Sequence, residues 1–261
     1  FDLTAREKVT RADFIGRDLV VVLGGDGTLT SISHNIDADT PVIGVNSHPI
    51  EDYPNGSFGF YMDSDVHTFG EDIVTALKGE AIINEIPRLQ AIIDTTSGNR
   101  FTTDPAMNDL LIANTHQYAP SKYHLRRDGK KCRQQSSGIV FSTWLGQGAW
   151  LNHILEEETL EKLRKKVDYA EIDSHYFVVS REISHAQRDE NPWSWFDWTD
   201  QDTVLTSDMH RGYVVPDGWD EVHFNRGASI TVNLEAPKLC LLTFRKPITE
   251  KLSELIKSKS V

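Results

Sequence analysis

The sequence has only two cysteines in 261 residues, Cys132 and Cys240, and they lie far apart along the chain. This shortage argues against a disulfide-stapled fold and favours reduced thiols in a cytoplasm-like compartment. The ten histidines and the two cysteines show no HxxxH or CxxC spacing. We therefore expect no structural zinc site.

The chain also lacks a long apolar run and an excess of basic residues. No stretch approaches the roughly 20 apolar residues of a membrane span, so we expect no membrane partner. Lysine and arginine number 27 against 39 aspartates and glutamates, which gives a net charge of −12. This balance argues against a nucleic-acid partner held by a general basic field. An anionic ligand stays compatible with it, because a few backbone N–H groups can hold a phosphate locally.

An initiator methionine is also missing, since the sequence begins at Phe1. Processing or trimming of an upstream segment, including a targeting segment, is compatible with such a start. We expect a cytoplasmic protein, or a mitochondrial one if a targeting segment has been removed.

Strand and helix patterns alternate over residues 1–82. The Val-rich run at 18–23 predicts a parallel strand covered on both faces. Residues 28–37 predict a helix and residues 40–46 a second strand, so that the three form a βαβ unit. Residues 69–80 predict a further helix with one apolar face.

Strand patterns dominate residues 83–246, where Asp128-Gly129 predicts the turn of a hairpin. Residues 151–166 predict one charged helix, with its acidic residues before its basic ones. Residues 186–202 hold three of the six tryptophans and predict a loop with a packed aromatic patch. Residues 247–261 predict a terminal helix. The expected fold class is therefore α/β followed by a β-rich part.

The strand at 18–23 leads directly into Gly24-Gly25-Asp26-Gly27-Thr28. Two glycines allow close approach of the backbone to a ligand, and N–H groups at the end of a parallel strand form an anion cradle. An aspartate in such a loop would repel a phosphate. Three roles for Asp26 stay open from the residues alone: a cap of the helix at Thr28, a ligand of Mg²⁺, or a base that accepts a hydroxyl proton.

This turn resembles the GGDGT motif shared by NAD kinases, diacylglycerol-type lipid kinases and, more distantly, phosphofructokinases. Later segments separate these families. AMNDLLIAN at 106–114 resembles the NAD kinase segment built around Asn-Glu, and SSGIVFSTWLGQGAW at 136–150 resembles that family's adenine-binding stretch, commonly DG-x-x-x-STPTGSTAY. Residues 214–234 resemble its late Asp-Gly segment and the strand after it. Order and spacing agree over nearly the whole chain, so the sequence resembles the NAD kinase family as a whole.

Several positions depart from the common pattern of this family. Ser136-Ser137-Gly138 replaces the usual Asp-Gly, and Asp109 replaces Glu. Both changes resemble the divergent branch that includes plant NADH kinase and the mitochondrial-type NAD kinases of animals. Trp144-Leu145 and Gln147-Gly148 stand where the common pattern has Pro-Thr and Ser-Thr, which removes hydroxyl side chains from this stretch.

The resemblance implies a fold of two domains. A small Rossmann-like α/β domain would comprise residues 1–82 and be completed by the C-terminal helix at 247–261. A larger β-sandwich-like domain, residues 83–246, would carry the dinucleotide loops. By analogy with the family we expect a homodimer or a higher homo-oligomer.

The implied reaction is transfer of the ATP γ-phosphoryl group to the 2′-hydroxyl of the adenosine ribose of NAD or NADH. Asp26 would be the catalytic residue, as a base or as the ligand of a metal that lowers the pKa of the hydroxyl. Mg²⁺ would arrive with ATP, so no dedicated metal ligands are expected. Asn108 and Asp109 suit ribose hydroxyls, and Asp217 suits the nicotinamide end. The remaining candidate binding residues are Gly24, Gly25, Gly27, Thr28, Ser137, Ser142, Thr143, Gly146, Ala149 and Trp150.

Structural explanations compete with these roles. Asn108-Asp109 could start a strand, Ser137 could lie at a strand edge, and Asp217-Gly218 is a common turn dipeptide. The tryptophans are more typical of packing or of an interface than of a cofactor site. Basic residues flank the hairpin turn and form either a solvated face or a contact for phosphates; they are Arg126, Arg127, Lys130, Lys131 and Arg133.

Two other functions compete with an NAD(H) kinase. A lipid kinase would use the same glycine turn but would assign no role to residues 136–150. It would also need an apolar or basic membrane-facing surface, whereas this chain is acidic overall. A nucleotide-binding module without catalysis would keep the fold, and the departures at Trp144 and Gln147 are its support.

Overall fold

A computed structural model describes residues 1–168 and 170–259 of the chain, so residues 260–261 of the predicted terminal helix lie outside the described residues. The helices are α1 (Asp26–Ser33), α2 (Phe69–Leu77), α3 (Leu151–Ile154), α4 (Glu157–Arg164), α5 (His185–Glu190), α6 (Pro192–Trp195) and α7 (Ile248–Lys259). Short 3₁₀ helices lie at Arg6–Lys8, Arg11–Phe14 and Trp144–Gly148. In the described part of the chain no helix has both the length and the apolarity of a membrane span.

Fifteen strands are present in the described residues. They are β1 (Val20–Gly24), β2 (Val42–Asn46), β3 (Ser64–Asp65), β4 (Ile82–Asp94), β5 (Arg100–Thr102), β6 (Asp109–Asn114), β7 (Ser121–Arg127), β8 (Lys130–Ser136), β9 (Ile139–Ser142), β10 (Tyr176–Ser180), β11 (Phe196–Thr199), β12 (Thr203–Ser207), β13 (Arg211–Pro216), β14 (Val222–Asn225) and β15 (Ser229–Thr243). The chain forms two compact units, one of residues 1–86 with 237–261 and one of residues 87–236. Their boundaries fall within or next to β4 and β15.

The first unit contains the predicted βαβ arrangement. Strand β1 pairs in parallel with β2, with α1 between them in the chain. Strand β2 also pairs in parallel with β3 and with the end of β15, so it lies inside the sheet. All five residues of β2 are buried, and Ile43 and Val45 pack with Leu242 into a small core. The predicted α/β architecture is confirmed here.

The expectation that the strand at 18–23 is covered on both faces is wrong. Strand β1 pairs with β2 alone among the described strands, and Val21 and Leu23 are 37% and 58% exposed. A continuous apolar run does not distinguish a central strand from an edge strand, because the pattern along one strand carries no information about its neighbours. The strand buried on both faces is β2.

The second unit is a β-sandwich, as the resemblance implied. One layer has the strand order β5-β4-β15-β12-β7-β8, and the other has the order β11-β10-β9-β6-β13-β14. The inward side chains of both layers share one core, which includes Leu89, Leu110, Phe141 and Leu205. The predicted hairpin is confirmed: β7 and β8 pair around Asp128 and Gly129, whose φ angles of 48° and 68° suit a two-residue type I′ turn.

The predicted single helix at 151–166 is two short helices, α3 and α4, separated at Leu155 and Glu156. The apolar residues explain the break. Leu155 and Leu160 are five positions apart, which places them on different sides of one continuous helix. The break turns α4 so that Leu160 and Leu163 pack with Val140 on the outer face of the second sheet.

The tryptophan-bearing segment is more ordered than the predicted loop. It contains α5, α6 and the edge strand β11, which pairs with β10 in the antiparallel direction. The expectation of a packed aromatic patch is confirmed, because Trp193 packs on the sandwich core and Trp198 on the outer cluster beside Phe177. Because polar residues separate the tryptophans, the sequence pattern of this segment did not predict strand β11.

A buried asparagine in the first unit holds the start of the C-terminal helix. Asn84 lies in β4, and its Nδ2 donates to the carbonyl of Leu241 at 3.1 Å and to Thr243 Oγ1 at 2.9 Å. Its Oδ1 accepts from the N–H of Ile248, the first residue of α7, at 2.8 Å. Helix starts leave such N–H groups without a partner in the helix, so this side chain substitutes for one.

We expect Asn84→Leu to lower the free energy of unfolding by about 2–4 kcal/mol, because it leaves buried backbone groups without partners. Urea denaturation measures the change. Asn225→Leu is the matched control, since Asn225 is exposed on β14 and its replacement should change stability by no more than about 0.5 kcal/mol. Equal effects of the two substitutions would contradict the role of Asn84.

Candidate functional site

The glycine turn lies in the first unit, between the end of β1 and the first residue of α1. Its first two positions require glycine, because a side chain there would clash with neighbouring atoms. A Cβ on Gly24 would lie 2.4 Å from Thr28 Oγ1, and a Cβ on Gly25 would lie 2.7 Å from Ser57 Oγ. Gly27 is exposed, and a Cβ there would meet nothing within 4 Å. The amino end of α1 is therefore a compact turn whose backbone is open to a ligand at Gly27.

Asp26 is the first residue of α1, and its side chain does not cap the helix. Its carboxylate instead accepts the backbone N–H of Phe60 at 2.9 Å and of Tyr61 at 2.8 Å, one on each oxygen. The capping role is thus not realised. Each oxygen keeps a second acceptor position, so the half-buried carboxylate can still accept a proton or bind a metal.

The chain's residues fit a magnesium ion that arrives with a nucleotide. Mg²⁺ is commonly bound by one or two carboxylates together with substrate phosphates. Neither unit by itself gathers three metal-ligating side chains among its described residues. Asp26, half-buried beside the amino end of α1, is the carboxylate available for that arrangement.

The second unit contains a pocket of about 380 Å³. Five of the candidate residues line it, and they come from three segments spread over more than 100 positions of the chain: Asn108, Asp109, Ala149, Trp150 and Asp217. Leu111, Val215 and Gly218 complete the lining and were not among the candidates. Leu111 on β6 and Val215 on β13 lie two positions from the candidates Asp109 and Asp217, which is the strand spacing that could have identified them, and Gly218 directly follows Asp217.

Asp217 organises one wall of this pocket. Its carboxylate accepts three consecutive backbone N–H groups, those of Met107 at 2.7 Å, Asn108 at 2.8 Å and Asp109 at 3.0 Å. Its own N–H donates to the carbonyl of Asp109 at 2.8 Å. Asp217 therefore fixes the conformation of the segment that carries the two candidate ribose-binding residues.

Asp109 has an unusual titration in this setting. It is 8% exposed, and this burial, together with the charge of Asp217, raises the pKa of Asp109 to about 7. Near neutral pH its carboxyl is therefore divided between a neutral form that donates a hydrogen bond and a charged form that only accepts.

The loop after β9 supports the pocket from inside the protein. Ser142 Oγ donates to the carbonyl of Asn108 at 3.0 Å, and Thr143 Oγ1 donates to the carbonyl of Met107. Both side chains are fully buried, so they position backbone and do not line the pocket. A Cβ on Gly146 would lie 1.7 Å from Ser142 Oγ, which makes glycine necessary there.

The residues of this loop that differ from the common family pattern lie in the interior of the protein. Trp144 and Gln147 are buried, and Gln147 Nε2 donates to the carbonyl of Trp144 at 3.0 Å. The loop thus keeps a closed shape without the hydroxyl side chains of the common pattern. Ser137 is placed differently from the other candidates: it is exposed, donates to the carboxylate of Glu182, and does not line the pocket.

The pKa of Asp109 predicts a specific dependence of stability on pH. In the unfolded chain this residue titrates near its ordinary value of about 4. The folded chain binds more protons between that pH and about 7, so the stability contributed by Asp109 is complete below this window and is lost as pH rises through it. Asp109→Asn carries no titrating group, so its stability relative to wild type should rise across the window by at most about 4 kcal/mol.

Urea denaturation of both proteins at several pH values measures this difference. Asp104→Asn removes an exposed carboxylate nearby in the sequence and serves as the control. A difference between Asp109→Asn and wild type that stays constant from pH 4 to pH 8 would show that the pKa of Asp109 is not raised.

Comparisons with known proteins find NAD kinases among the proteins that this chain is similar to. Residues 5–81 match the family model described as the ATP-NAD kinase N-terminal domain. An NAD kinase of Clostridium perfringens is 26% identical over 141 residues, which are 53% of this chain and 47% of that protein. An NAD kinase of Thermoplasma volcanium is 23% identical over 248 residues, 93% of this chain and 79% of that protein. The chain thus spans about half the length of the first relative and most of the second.

Two solved structures share the fold at low identity. The crystal structure of yeast NADH kinase complexed with NADH has a TM-score of 0.75 at 17% identity, covering 97% of this chain and 70% of that chain. An NAD kinase from Archaeoglobus fulgidus in complex with ATP has a TM-score of 0.65 at 16% identity, covering 92% and 83%. The resemblance indicated by the motifs is confirmed: the chain is similar to NAD kinases, residues 5–81 match the model of that family's N-terminal domain, and the chain shares the fold of the two solved kinases.

Proposed function

We propose that the chain is an NAD(H) kinase, which transfers the γ-phosphoryl group of ATP to the 2′-hydroxyl of the adenosine ribose of NAD or NADH. The observation that carries the proposal is the pocket in which Asn108, Asp109 and Trp150 converge from separate segments. Support comes from the relatives named NAD kinase and from the fold neighbours solved with NADH and with ATP.

The pocket has the chemistry of an adenosine site. Its volume of about 380 Å³ lies within the range of small-molecule pockets. Trp150 and Ala149 offer apolar surface to a planar base, and the Asn108 amide offers both a donor and acceptors to ribose hydroxyls. Asp109 adds a carboxyl that near pH 7 serves as donor or acceptor. Ser142, Thr143 and Gly146 hold the backbone around these groups.

The glycine turn has the chemistry of a phosphate site. The amino end of α1 carries partial positive charge, and its backbone is exposed at Gly27, which favours phosphate oxygens there. Gly24, Gly25 and Gly27 keep side chains out of this space, and Thr28 lies in the first turn of α1. Mg²⁺ carried by ATP neutralises phosphate charge when bound.

The proposed step is an in-line transfer. A bond forms between the ribose 2′-oxygen and the γ-phosphorus, while the bond from that phosphorus to the β–γ bridging oxygen breaks and ADP leaves. The proton of the hydroxyl passes to the carboxylate of Asp26, which the N–H groups of Phe60 and Tyr61 hold in one orientation. Asp217 acts on binding through the backbone of Asn108 and Asp109.

We also propose a homodimer in a cytoplasm-like compartment. The dimer rests on the likeness to the family, and the compartment on the two free cysteines, Cys132 and Cys240. Light scattering after size exclusion tests the dimer, and a monomeric mass would contradict it. Nothing in the comparisons supports the lipid-kinase alternative, because the relatives and fold neighbours described above are NAD and NADH kinases.

Incubation of the purified chain with NAD or NADH and either Mg-ATP or polyphosphate should give NADP or NADPH, detected with an NADP-specific dehydrogenase. Diacylglycerol as acceptor should give no phosphorylated lipid. Absence of NADP(H) with every donor would overturn the proposed function.

Asp26→Asn should reduce kcat by about 10²–10⁴-fold, because the variant cannot accept the hydroxyl proton. The Kd of NAD, measured by calorimetry, should change little. Ser57→Ala is the matched control for disturbance of the turn and the facing loop, since Ser57 Oγ accepts from the N–H groups of Gly59 at 3.2 Å and of Asp26 at 3.4 Å without supplying a carboxylate. Wild-type turnover by Asp26→Asn would show that Asp26 is not the base.

A further inference from the structure

The loop that joins β2 to β3, residues 47–63, has no role in the proposed function apart from the two backbone N–H groups that donate to Asp26. It begins at the carboxyl end of β2, where Asn46 pairs in register with Gly24 at the end of β1. Ligands of parallel α/β sheets bind outside the carboxyl ends of the strands. The β2–β3 loop therefore lies at the edge of the sheet at which a ligand of the first unit is expected.

Three hydrogen bonds tie this loop to the glycine turn. The N–H of Ser47 donates to the carbonyl of Gly24 at 3.0 Å, and the N–H of Asp26 donates to Ser57 Oγ at 3.4 Å. Within the loop, the N–H of Ser57 donates to the carbonyl of His48 at 2.7 Å. His48 is therefore the chain neighbour of one residue that contacts the turn and the hydrogen-bonded partner of another.

His48 and Tyr53 form an aromatic stack in this loop. Their ring centroids are 3.7 Å apart, and the planes of the two rings differ by only 12°. The stack is not covered by the protein, since Tyr53 is 44% exposed and His48 is exposed as well. Each ring covers one face of the other, so the exposed part of the pair suits a third planar ring that extends the stack.

The backbone that carries the two rings is fixed by hydrogen bonds. Asn46 is 5% exposed, and its Nδ2 donates to the carbonyl of Ser57 at 3.0 Å while its Oδ1 accepts from the N–H of His48 at 3.2 Å. The N–H of Tyr53 donates to the carbonyl of Pro49 at 3.0 Å. The stack is thus formed before a ligand arrives, which lowers the entropy that binding costs.

The charges of this part of the chain favour a neutral ring over a phosphate at the stack. Residues 18–77, which include both the glycine turn and the β2–β3 loop, contain no lysine or arginine. Glu51 and Asp52 directly precede Tyr53, and both are exposed. These carboxylates repel a phosphate, whereas a nucleobase is neutral near neutral pH. A nucleotide therefore fits with its base at the stack and its phosphates at the glycine turn.

We propose that the His48–Tyr53 stack binds the base of the nucleoside triphosphate that donates the phosphoryl group. The inference rests on the proposed function, because that function brings the donor's phosphates to the glycine turn. Stacking uses the π-face that every base has, so it tolerates different bases. The stack therefore favours nucleoside triphosphates over a polyphosphate chain without a base, and it discriminates little between ATP and GTP.

Calorimetry on the full chain tests the proposal with two magnesium-bound probes. One is AMP-PNP, a non-hydrolysable ATP analogue, and the other is tripolyphosphate, which has no base. Tyr53→Ala should weaken the binding of AMP-PNP about tenfold, because one partner of the stack is lost, and should leave the binding of tripolyphosphate unchanged. Tyr53→Trp keeps an aromatic face and should bind AMP-PNP at least as tightly as wild type.

Tyr118→Ala is the matched control for the loss of an exposed tyrosine. Tyr118 is 88% exposed in the second unit and stacks on His116, with ring centroids 5.2 Å apart and planes that differ by 18°. Neither residue lines the pocket of that unit. This variant should bind both probes as wild type does.

NMR spectra report on the stack itself, whichever other site takes up AMP-PNP. The ring proton signals of His48, assigned by their loss in His48→Gln, should shift and saturate with AMP-PNP and with the GTP analogue GMP-PNP. Tripolyphosphate should not shift them, because it brings no ring to the stack.

Three results would overturn the proposal. The first is unchanged affinity of Tyr53→Ala for AMP-PNP, or absence of AMP-PNP binding by wild type. The second is an equal loss of affinity for AMP-PNP and tripolyphosphate in Tyr53→Ala. The third is a shift of the His48 signals that is the same with both probes. All of these are binding measurements, so failure of NADP(H) formation, which tests the proposed function, is scored separately.

Discussion

A carboxylate that accepts consecutive backbone N–H groups is the interaction on which the local structure of both units depends. Asp217 accepts three such groups from residues 107–109, and Asp26 accepts two from residues 60–61. Asp63 does the same for residues 244–245, with distances of 2.6 and 3.1 Å. Each contact joins segments that are distant in sequence, and each satisfies the carboxylate and the backbone together. The loops around the candidate residues take their shape from these aspartates.

This constraint gives Asp217 and Asp109, the two acids of the pocket in the second unit, different roles. Asp217 is bound to three backbone N–H groups, and its carboxylate lies beside Asp109. That charge and burial raise the pKa of Asp109 to about 7, so the neighbouring carboxyl is the one that changes state near neutral pH. Asp217 thus positions the backbone, and Asp109 is the acid whose pKa its burial and this neighbour raise.

The interior of the second unit shows how completely its polar groups are usually paired. Tyr123 donates from its hydroxyl to Gln134 Oε1 at 2.7 Å, and Ser180 donates to the same oxygen at 2.9 Å. Gln134 Nε2 donates in turn to the carbonyl of Ser194 at 3.1 Å. A few buried donors of this unit still lack an acceptor among the described residues, including Arg127 Nη1, Trp144 Nε1 and Trp198 Nε1, so the pairing is extensive but not complete.

The features that depend on neighbours along the chain are predictable from the sequence. They are the βαβ pattern at 18–46, the glycine turn, the hairpin turn at 128–129 and the predominance of strands after residue 83. Periodicity and turn chemistry are local, so one sequence suffices to predict them. Tertiary structure alone decided that β1 is an edge strand and that residues 151–166 break in two. It also decided that Asp26 and Asp217 bind backbone groups far away in the sequence. Such contacts produce no pattern in the sequence around either aspartate, because packing and the burial of charge determine which backbone groups come close to it.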